Sequence, residues 1–416
     1  MRGAATICML LRYGLMVVSV LAASTTHAPL PGAQALSGAA SAAGPLPDRA
    51  ADVRALVTQA QAGSLGAATS LLRVGLFEEL ALIDPLQPAV AAWSVAQPGG
   101  DISGQQLYGV VLEHWATANP TRLRSWAPAT ALRARTFLSA HYTEDPLILL
   151  QSALSFTSHE PTDRERAREL FLQALLMQPD ATPDALERLA VTRLAAAVAV
   201  AGGYPEQEAL LAQLTAQTAA VHDPFWQART SWVQAAAARA CPDAGGMALA
   251  LTTEAQAAAF AEQAHDAIGQ AHSLVAQAAC EILVEHSAAA QDRAAALDAQ
   301  AAALYSQAQL PEESALALRD EALCQRPDRS GAGGSWPRAT QLMIAAAAQF
   351  AAADDLPNQA DTLSDAARCA AQNDPVHSTM ASRQLLREAE HAYRQLHDDG
   401  KADALLEWFN PSLDAN

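Results

Sequence analysis

Apolar and polar positions along this chain follow the spacing of amphipathic helices. From Asp48 onward the main interruptions are Pro- and Gly-containing dipeptides such as Asp84-Pro85, Gly202-Gly203 and Asp374-Pro375. Dipeptides of this kind end one helix and begin the next. They divide the chain into segments of roughly 12 to 25 residues, with no period-2 run typical of a strand. The pattern therefore predicts an all-α fold.

Aromatic residues recur through the C-terminal part of the chain at intervals of 45, 45 and 43 residues: Phe260, Tyr305, Phe350 and Tyr393. The first three are each followed by two Ala residues seven apart and then a Cys; these triplets are Ala271, Ala278, Cys280; Ala315, Ala322, Cys324; and Ala360, Ala367, Cys369. Residues seven apart share one face of a helix, so each ring is expected to face Ala residues on the second helix of an antiparallel hairpin. Since one hairpin cannot bury its apolar face alone, the hairpins are expected to stack.

The last unit of this repeat departs from the others. It keeps Tyr393 and Ala402, but Phe409 stands where the second Ala is expected. Terminal repeats are commonly atypical because they cap a stack. Residues 253–416 are therefore predicted to form a hairpin array with a period of about 45 residues and a C-terminal capping hairpin.

The N-terminus has the order of regions found in a secretory signal peptide. Arg2 and Arg12 precede an apolar run, Tyr13 to Ala23, that is followed by small and polar residues. We expect residues 1–35 to be a signal peptide, with cleavage after Ala28 or Ala35. A retained membrane anchor is the alternative, but the apolar run is shorter than the ~20 residues needed to span a bilayer.

The segments after the signal peptide differ in composition. Residues 36–47 consist mainly of Ala, Gly, Ser and Pro and are predicted to be a flexible tether. Residues 48–252 are predicted to form an N-terminal helical repeat region. The protein is expected to be exported, periplasmic or secreted, with no transmembrane segment in the mature chain.

The charge of the chain restricts its partners. It carries 44 acidic and 26 basic residues, a net charge of −18, and Lys401 is its only lysine. Nucleic-acid binding requires clustered Lys and Arg to neutralise phosphates, so the balance argues against a nucleic-acid partner.

Residues 167–179 resemble the second helix of the tetratricopeptide repeat (TPR). That helix carries Ala, a large residue four positions on, Ala seven on and Pro twelve on, and this stretch matches at all four: Ala167, Phe171, Ala174 and Pro179. Ala315 and Ala322 match with Arg319 at the large position, and Ala360 and Ala367 match with Ser364 there. The period exceeds the family's 34 residues, and the Trp and Leu-Gly of the first helix are absent. The chain thus resembles an exported bacterial TPR-like α-solenoid.

The resemblance implies a binding groove lined by the first helix of each hairpin. In the family, the residues two before, one after and two after the aromatic position face the ligand; here they are Ala258, Ala261, Glu262; Ala303, Ser306, Gln307; Ala348, Ala351, Ala352; and His391, Arg394, Gln395. The polar members, Glu262, Ser306, Gln307, His391, Arg394 and Gln395, are our candidate partner-binding residues. We expect the last three to engage an acidic segment of a protein or peptide partner; the alternative is that they are solvated residues on a capping hairpin.

Few residues suggest catalytic or metal chemistry. The two Glu-x-x-His motifs, Glu262–His265 and Glu388–His391, are of the kind that di-iron bundles use. They lie three hairpins apart, so solvated helix faces are the preferred interpretation. Phosphate loops, nucleophile elbows, HExxH and CxxC motifs are absent from the sequence. Cys280, Cys324 and Cys369 are expected to be buried packing residues, and a disulfide involving Cys241 remains open.

The function predicted from the sequence is that of a non-catalytic interaction scaffold or adaptor in a cell-envelope complex, a secretion system or an uptake system. No catalytic residue, metal or cofactor is expected. One alternative is a periplasmic partner of a solute-binding transport system that carries an apolar ligand. A more remote alternative is a di-iron helical enzyme. The oligomeric state is not predicted.

Overall fold

The computed structural model describes residues 50–61, 161–177, 185–241, 244–327, 334–373 and 380–413, and a few helical positions between 146 and 154. All the regular elements among these residues are helices, which confirms the all-α prediction. The predicted signal peptide, the predicted tether and Pro179 lie outside the described residues.

The chain divides into two compact units, Met1–Ala240 and Cys241–Asn416. We call them unit 1 and unit 2. The repeat pattern of the sequence predicts a boundary between residues 252 and 253, a position that lies inside the first helix of unit 2. The reason is that the repeat signal begins with Phe260, near the C-terminal end of that helix.

Unit 1 contains the helices α1 (Ala50–Gln61), α2 (Pro161–Leu176), α3 (Ala185–Gly202), α4 (Gln207–Val221) and α5 (Pro224–Ala240). Helices α3, α4 and α5 pack against one another, and α2 packs against α3. The TPR half-motif lies on α2, where Ala167, Phe171 and Ala174 are all buried.

The turn after α3 is held against α2 by one aromatic and one ionic contact. The ring centroids of Phe171 and Tyr204 lie 5.1 Å apart. The Arg168 guanidinium stacks 4.5 Å from the Tyr204 centroid and donates two hydrogen bonds to the Glu206 carboxylate, at 2.6 and 2.7 Å. These donations lower the pKa of Glu206. Bidentate geometry makes this pair more specific than an ordinary surface ion pair.

Unit 2 is a series of helices in which each packs against the next. The helices are α6 (Ala244–Gln263), α7 (Ala267–Val284), α8 (Ala288–Gln307), α9 (Pro311–Cys324), α10 (Trp336–Ala352), α11 (Leu356–Asn373), α12 (Met380–Gln395) and α13 (Asp399–Leu413). Three-residue turns pair them into hairpins α6–α7, α8–α9, α10–α11 and α12–α13. The even-numbered members are the first helices and the odd-numbered members the second helices. This arrangement confirms the predicted stack of helical hairpins.

The four turns within the hairpins share one backbone conformation, in which the middle residue is left-handed. In the first turn, the His265 N–H donates to the Glu262 carbonyl at 2.9 Å and the Asp266 N–H to the Ala261 carbonyl at 2.8 Å. This is the Schellman pattern, which satisfies the last carbonyls of a helix. The same pair of bonds occurs in the other three turns. The left-handed residues are His265, Gln309, Asp354 and His397, with φ between 54° and 59°.

Replacing Gln309 with Gly is expected to stabilise unit 2 by about 0.5–1 kcal/mol. A left-handed conformation costs an L-residue about 1–2 kcal/mol, which Gly avoids, and the greater freedom of Gly in the unfolded chain returns part of that gain. Gln300→Gly is the matched control, since Gln300 is exposed within α8 and loses about 1 kcal/mol there. Urea unfolding at constant m-value measures both changes; destabilisation by Gln309→Gly would contradict the assigned turn.

Two of the repeated rings, Phe350 and Tyr393, contact the hairpin before their own. Phe350, on α10, is clustered with Ala315, Leu316 and Leu318, all on α9 of the preceding hairpin. Tyr393, on α12, likewise donates a 2.8 Å hydrogen bond to Asp361 on α11. The sequence predicts that each ring faces the Ala residues of its own hairpin, and Tyr393 shares a buried cluster with Ala402 on α13. The contacts of Phe350 and Tyr393 described above lie in addition across the junction between hairpins, because a first helix packs against the second helix that precedes it as well as the one that follows.

The repeated small residues are buried throughout unit 2. This holds for Ala315, Ala322, Ala360, Ala367 and Ala402, as it does for the ring of Phe409 at the end of the array. The rings of Tyr305, Phe350 and Tyr393 are also buried. Phe260 is only partly buried. Since it lies on the first helix of the unit, no earlier hairpin of unit 2 covers it.

Candidate partner-binding face

The exposed surface of unit 2 belongs mainly to the first helices. Over Pro311–Cys324, the whole of α9, no residue is exposed, and α7 exposes only Val284 at its C-terminal end. Each inner second helix packs against the first helices on either side of it, which covers most of its circumference. Each first helix, in contrast, carries an exposed stripe along its length.

The structure places all six candidate partner-binding residues on these stripes. Glu262 is exposed on α6, Ser306 and Gln307 on α8, and His391, Arg394 and Gln395 on α12. The Ala residues that the resemblance assigned to the groove in the third hairpin are exposed as well. Ala258 and Ala261 of the first hairpin are buried instead. We call the exposed set the first-helix face: Glu262, Ala303, Ser306, Gln307, Ala348, Ala351, Ala352, His391, Arg394 and Gln395.

The middle of the first-helix face is small and uncharged. On α10 the exposed positions include Ala345, Ala348, Ala351 and Ala352. Ile344, one turn earlier, has 43% of its surface exposed and adds an apolar contact. Small side chains let the backbone of another chain approach closely, as they do between packed helices.

The exposed residues of these stripes that lie further from the turns were not among the predicted positions. Gln300 on α8, and Gln341 and Ile344 on α10, continue the exposed faces toward the helix N-termini. Their exposure could have been predicted from the sequence. They precede the predicted positions by three, four or seven residues and so share a helix face with them. The resemblance drew attention only to the positions around each ring.

The α12 end of the face has a different electrostatic character. Arg394 donates to the carboxylates of Glu390, Asp399 and Asp403 at 3.0, 3.3 and 3.4 Å. The Gln395 amide nitrogen lies 2.9 Å from the His391 ring nitrogen Nε2. An acidic ligand would have to compete with three intramolecular carboxylates for the one guanidinium.

The residues considered for metal chemistry are dispersed. His265 lies in the α6–α7 turn with φ 54°, so it is not helical as the Glu-x-x-His pattern requires. Glu388 and His391 are exposed on α12. Among the residues that the structure describes, no group of three or more His, Cys, Asp or Glu side chains has the geometry to hold a metal ion.

None of the described cysteines is joined to another by a disulfide. Cys241 is exposed, whereas Cys280, Cys324 and Cys369 are buried at equivalent places on successive second helices. Burial raises the pKa of Cys324 and of Cys369. Because the thiolate is the reactive form, these two thiols are poor nucleophiles in the folded array.

One helix in the described part of the chain, α7, is long and apolar enough to cross a membrane by length and composition alone. It packs against α6 on one side and α8 on the other. Its buried positions include Ala271, Leu274, Val275, Ala278 and Cys280. These contacts within the array account for its apolar character.

The stacked hairpins, with their repeated rings and buried alanines, define the class of protein: a TPR-like helical repeat. No protein-family model matches the chain, and no curated protein matches it. A similar solved structure is a signal-transduction ATPase with numerous domains (STAND) protein with a tetratricopeptide repeat sensor, from Pyrococcus horikoshii. It has 12% sequence identity and a TM-score of 0.38, and the match covers 83% of this chain. This chain spans 65% of that protein, and so loose a similarity carries no argument about function.

Proposed function

We propose that unit 2 is a non-catalytic interaction module that binds a segment of a protein partner along the first-helix face. The observation that supports this proposal is that the first and second helices differ in their exposure to solvent. The inner second helices, α7, α9 and α11, lie largely in the interior of the array, and each first helix presents an exposed stripe. Helical repeats of this kind bind partners on extended surfaces built from one helix of each repeat.

The chemistry of the face favours a partner segment with short apolar side chains and free backbone amides. Ala303, Ala348 and Ala351 permit close approach, while Gln307 and Gln341 offer amide donors and acceptors. The protein would act as a scaffold or adaptor that brings such a segment to other components. The signal-like N-terminus supports an exported location, and we infer that the scaffold serves a cell-envelope complex, a secretion system or an uptake system.

Ala348→Arg is expected to abolish partner binding without loss of folding. Ala348 is exposed in the middle of the face, so the new side chain leaves the core intact but blocks the close approach of a partner. An interface residue of this kind changes affinity by about tenfold or more when it becomes incompatible with the partner. The measurement is affinity capture of envelope proteins with the full chain, quantified by mass spectrometry against the wild type.

Gln372→Arg is the matched control for this experiment. Gln372 is exposed on α11, a second helix, so the same charge is added away from the first-helix face. Proteins retained by wild type and Gln372→Arg but lost with Ala348→Arg would support the proposal. Equal capture by all three proteins, with equal unfolding midpoints, would exclude binding through this face.

A further inference from the structure

A carboxyl group lies in the apolar interior of unit 2. Asp298, on α8, is 0% exposed. It precedes the Tyr305 ring by seven residues. The residues seven before the next two rings are Met343 and Leu386, both buried core residues. Asp298 therefore occupies a position at which the following hairpins place apolar side chains.

The surroundings of Asp298 do not compensate an ionised carboxylate. Neither carboxyl oxygen has a hydrogen-bond partner among the described residues. Asp320 and Glu321, both buried on α9, add negative charge nearby. Glu321 is itself paired, since Arg338 on α10 donates to it at 3.0 Å.

The adjacent helices carry further titratable groups, which on α9 include Glu312, Glu313 and Arg319. On α9, the Cys324 thiol lies close enough to Asp298 to be influenced by its charge. Helix α7, on the opposite side of α8, carries His272, Cys280 and Glu281. Glu281 is held by Arg293 at 2.8 Å.

Ionisation of Asp298 therefore destabilises the folded array. Burial, and then the charges of Asp320 and Glu321, raise the pKa of Asp298 well above its ordinary value. The unfolded chain releases this proton near pH 3.9, and the folded chain releases it only at a higher pH. Between these two values the unfolded state binds fewer protons than the folded state, so stability falls as the pH rises. Above the folded pKa the loss is complete.

We propose that Asp298 makes the α8–α9 hairpin a proton-dependent joint in the array, closed with a neutral carboxyl and progressively opened as the pH rises. Ser306 and Gln307 of the first-helix face lie at the C-terminal end of the same helix. Opening of this joint would therefore disturb the face in its middle. The inference concerns the array itself and holds whichever partner the face binds.

Three equivalent buried thiols allow opening of individual hairpins to be compared within one molecule. Cys324 lies in the α8–α9 hairpin, and Cys280 and Cys369 hold the same place in the neighbouring hairpins. Buried thiols react with an alkylating reagent only when their hairpin opens. The ratio of the Cys324 rate to the Cys369 rate cancels the effect of pH on the thiol reaction.

In the full-length wild-type protein, the Cys324 to Cys369 labelling ratio is expected to rise between about pH 5 and about pH 8.5. The increase is up to about tenfold for each pH unit below the pKa of Asp298 in the folded state. In Asp298→Asn, which is uncharged at every pH, the ratio is expected to stay constant. Asp292→Asn, an exposed position on the same helix, is expected to keep the wild-type increase.

A constant ratio in the wild type, or an increase that persists in Asp298→Asn, would overturn the proposal. If Asp298→Asn does not fold, Asp298→Met takes its place, since Met is the residue at the equivalent position of the next hairpin. Failure of both variants to fold would also overturn it, because the carboxyl would then have a structural role that no neutral side chain replaces.

Discussion

Phe350→Ala is expected to lower the free energy of unfolding of unit 2 by about 3–5 kcal/mol, the usual cost of removing a fully buried aromatic side chain. The Phe350 ring is 0% exposed and packs on Ala315 of the preceding hairpin. Because Ala315 and Ala346 are already small, their side chains cannot fill the space that the ring vacates. Only Leu316 and Leu318, the partly buried members of the cluster, could move into it, so much of the cavity cost is expected to remain.

The same substitution is expected to reduce the cooperativity of unfolding. In a repeat array, each hairpin is stabilised by its neighbours, and the ring contributes to the junction between α9 and α10. With that junction weakened, α6–α9 and α10–α13 are expected to unfold in separate steps. Urea unfolding measures the midpoint. Hydrogen exchange, followed separately on peptides from α6–α9 and from α10–α13, measures whether the two halves unfold in separate steps.

Phe260→Ala is the matched control for the ring. Phe260 holds the equivalent position on α6, but it is only partly buried, so it has less apolar contact to lose. We expect it to cost clearly less than Phe350→Ala. Equal costs for the two substitutions would show that burial at the hairpin junction does not set the contribution of the rings.

Gly334→Ala is expected to destabilise unit 2 by about 2–4 kcal/mol, from a left-handed backbone and a steric clash together. Gly334 has φ 61°, and a Cβ there would lie 2.3 Å from the Gln325 carbonyl oxygen. That oxygen accepts a 2.7 Å hydrogen bond from the Ser335 N–H, and Ser335 caps α10. Relief of the clash therefore requires the start of α10 to move away from the end of α9.

Gly400→Ala is the matched substitution with the opposite expected sign. Gly400 lies in the first turn of α13, and its added Cβ would approach no atom more closely than 3.9 Å. Ala in a helix is favoured over Gly by about 0.5–1 kcal/mol, so this variant is expected to be more stable than the wild type. Thermal unfolding of both variants measures the contrast. A neutral Gly334→Ala would mean that the α9–α10 connection differs from the one described.

Much of the fold of unit 2 is predictable from the sequence because its repeats carry the same side chains at the same spacing. Tyr305, Phe350 and Tyr393 mark the first helices, and paired alanines such as Ala315 and Ala322 mark the second. The contacts of Phe350 and Tyr393 with the preceding hairpin were not predictable in this way. Spacing along the chain identifies which residues share a helix face, but a first helix has second helices on two sides.

The exposed positions of the candidate site were predicted from the sequence, but its ion pairs were not. The exposed positions of Ser306, Gln307 and Arg394 follow from their place on the helix relative to the ring. The three carboxylates around Arg394 do not, because Asp399 and Asp403 reach it from α13 across a turn. Asp298 was also missed, since a single acidic residue in a helix is usually assigned to the solvated face.

The contacts of Phe350 and Tyr393 with the preceding hairpin have a consequence for insertions and deletions in such a chain. A segment running from one ring to the next contains half of one hairpin and half of the following one, with a junction between them. Duplication or deletion of one complete segment would leave a ring and an alanine surface facing each other at every remaining junction. Gain or loss of whole periods is therefore a less disruptive route of divergence for this array than insertions within a helix.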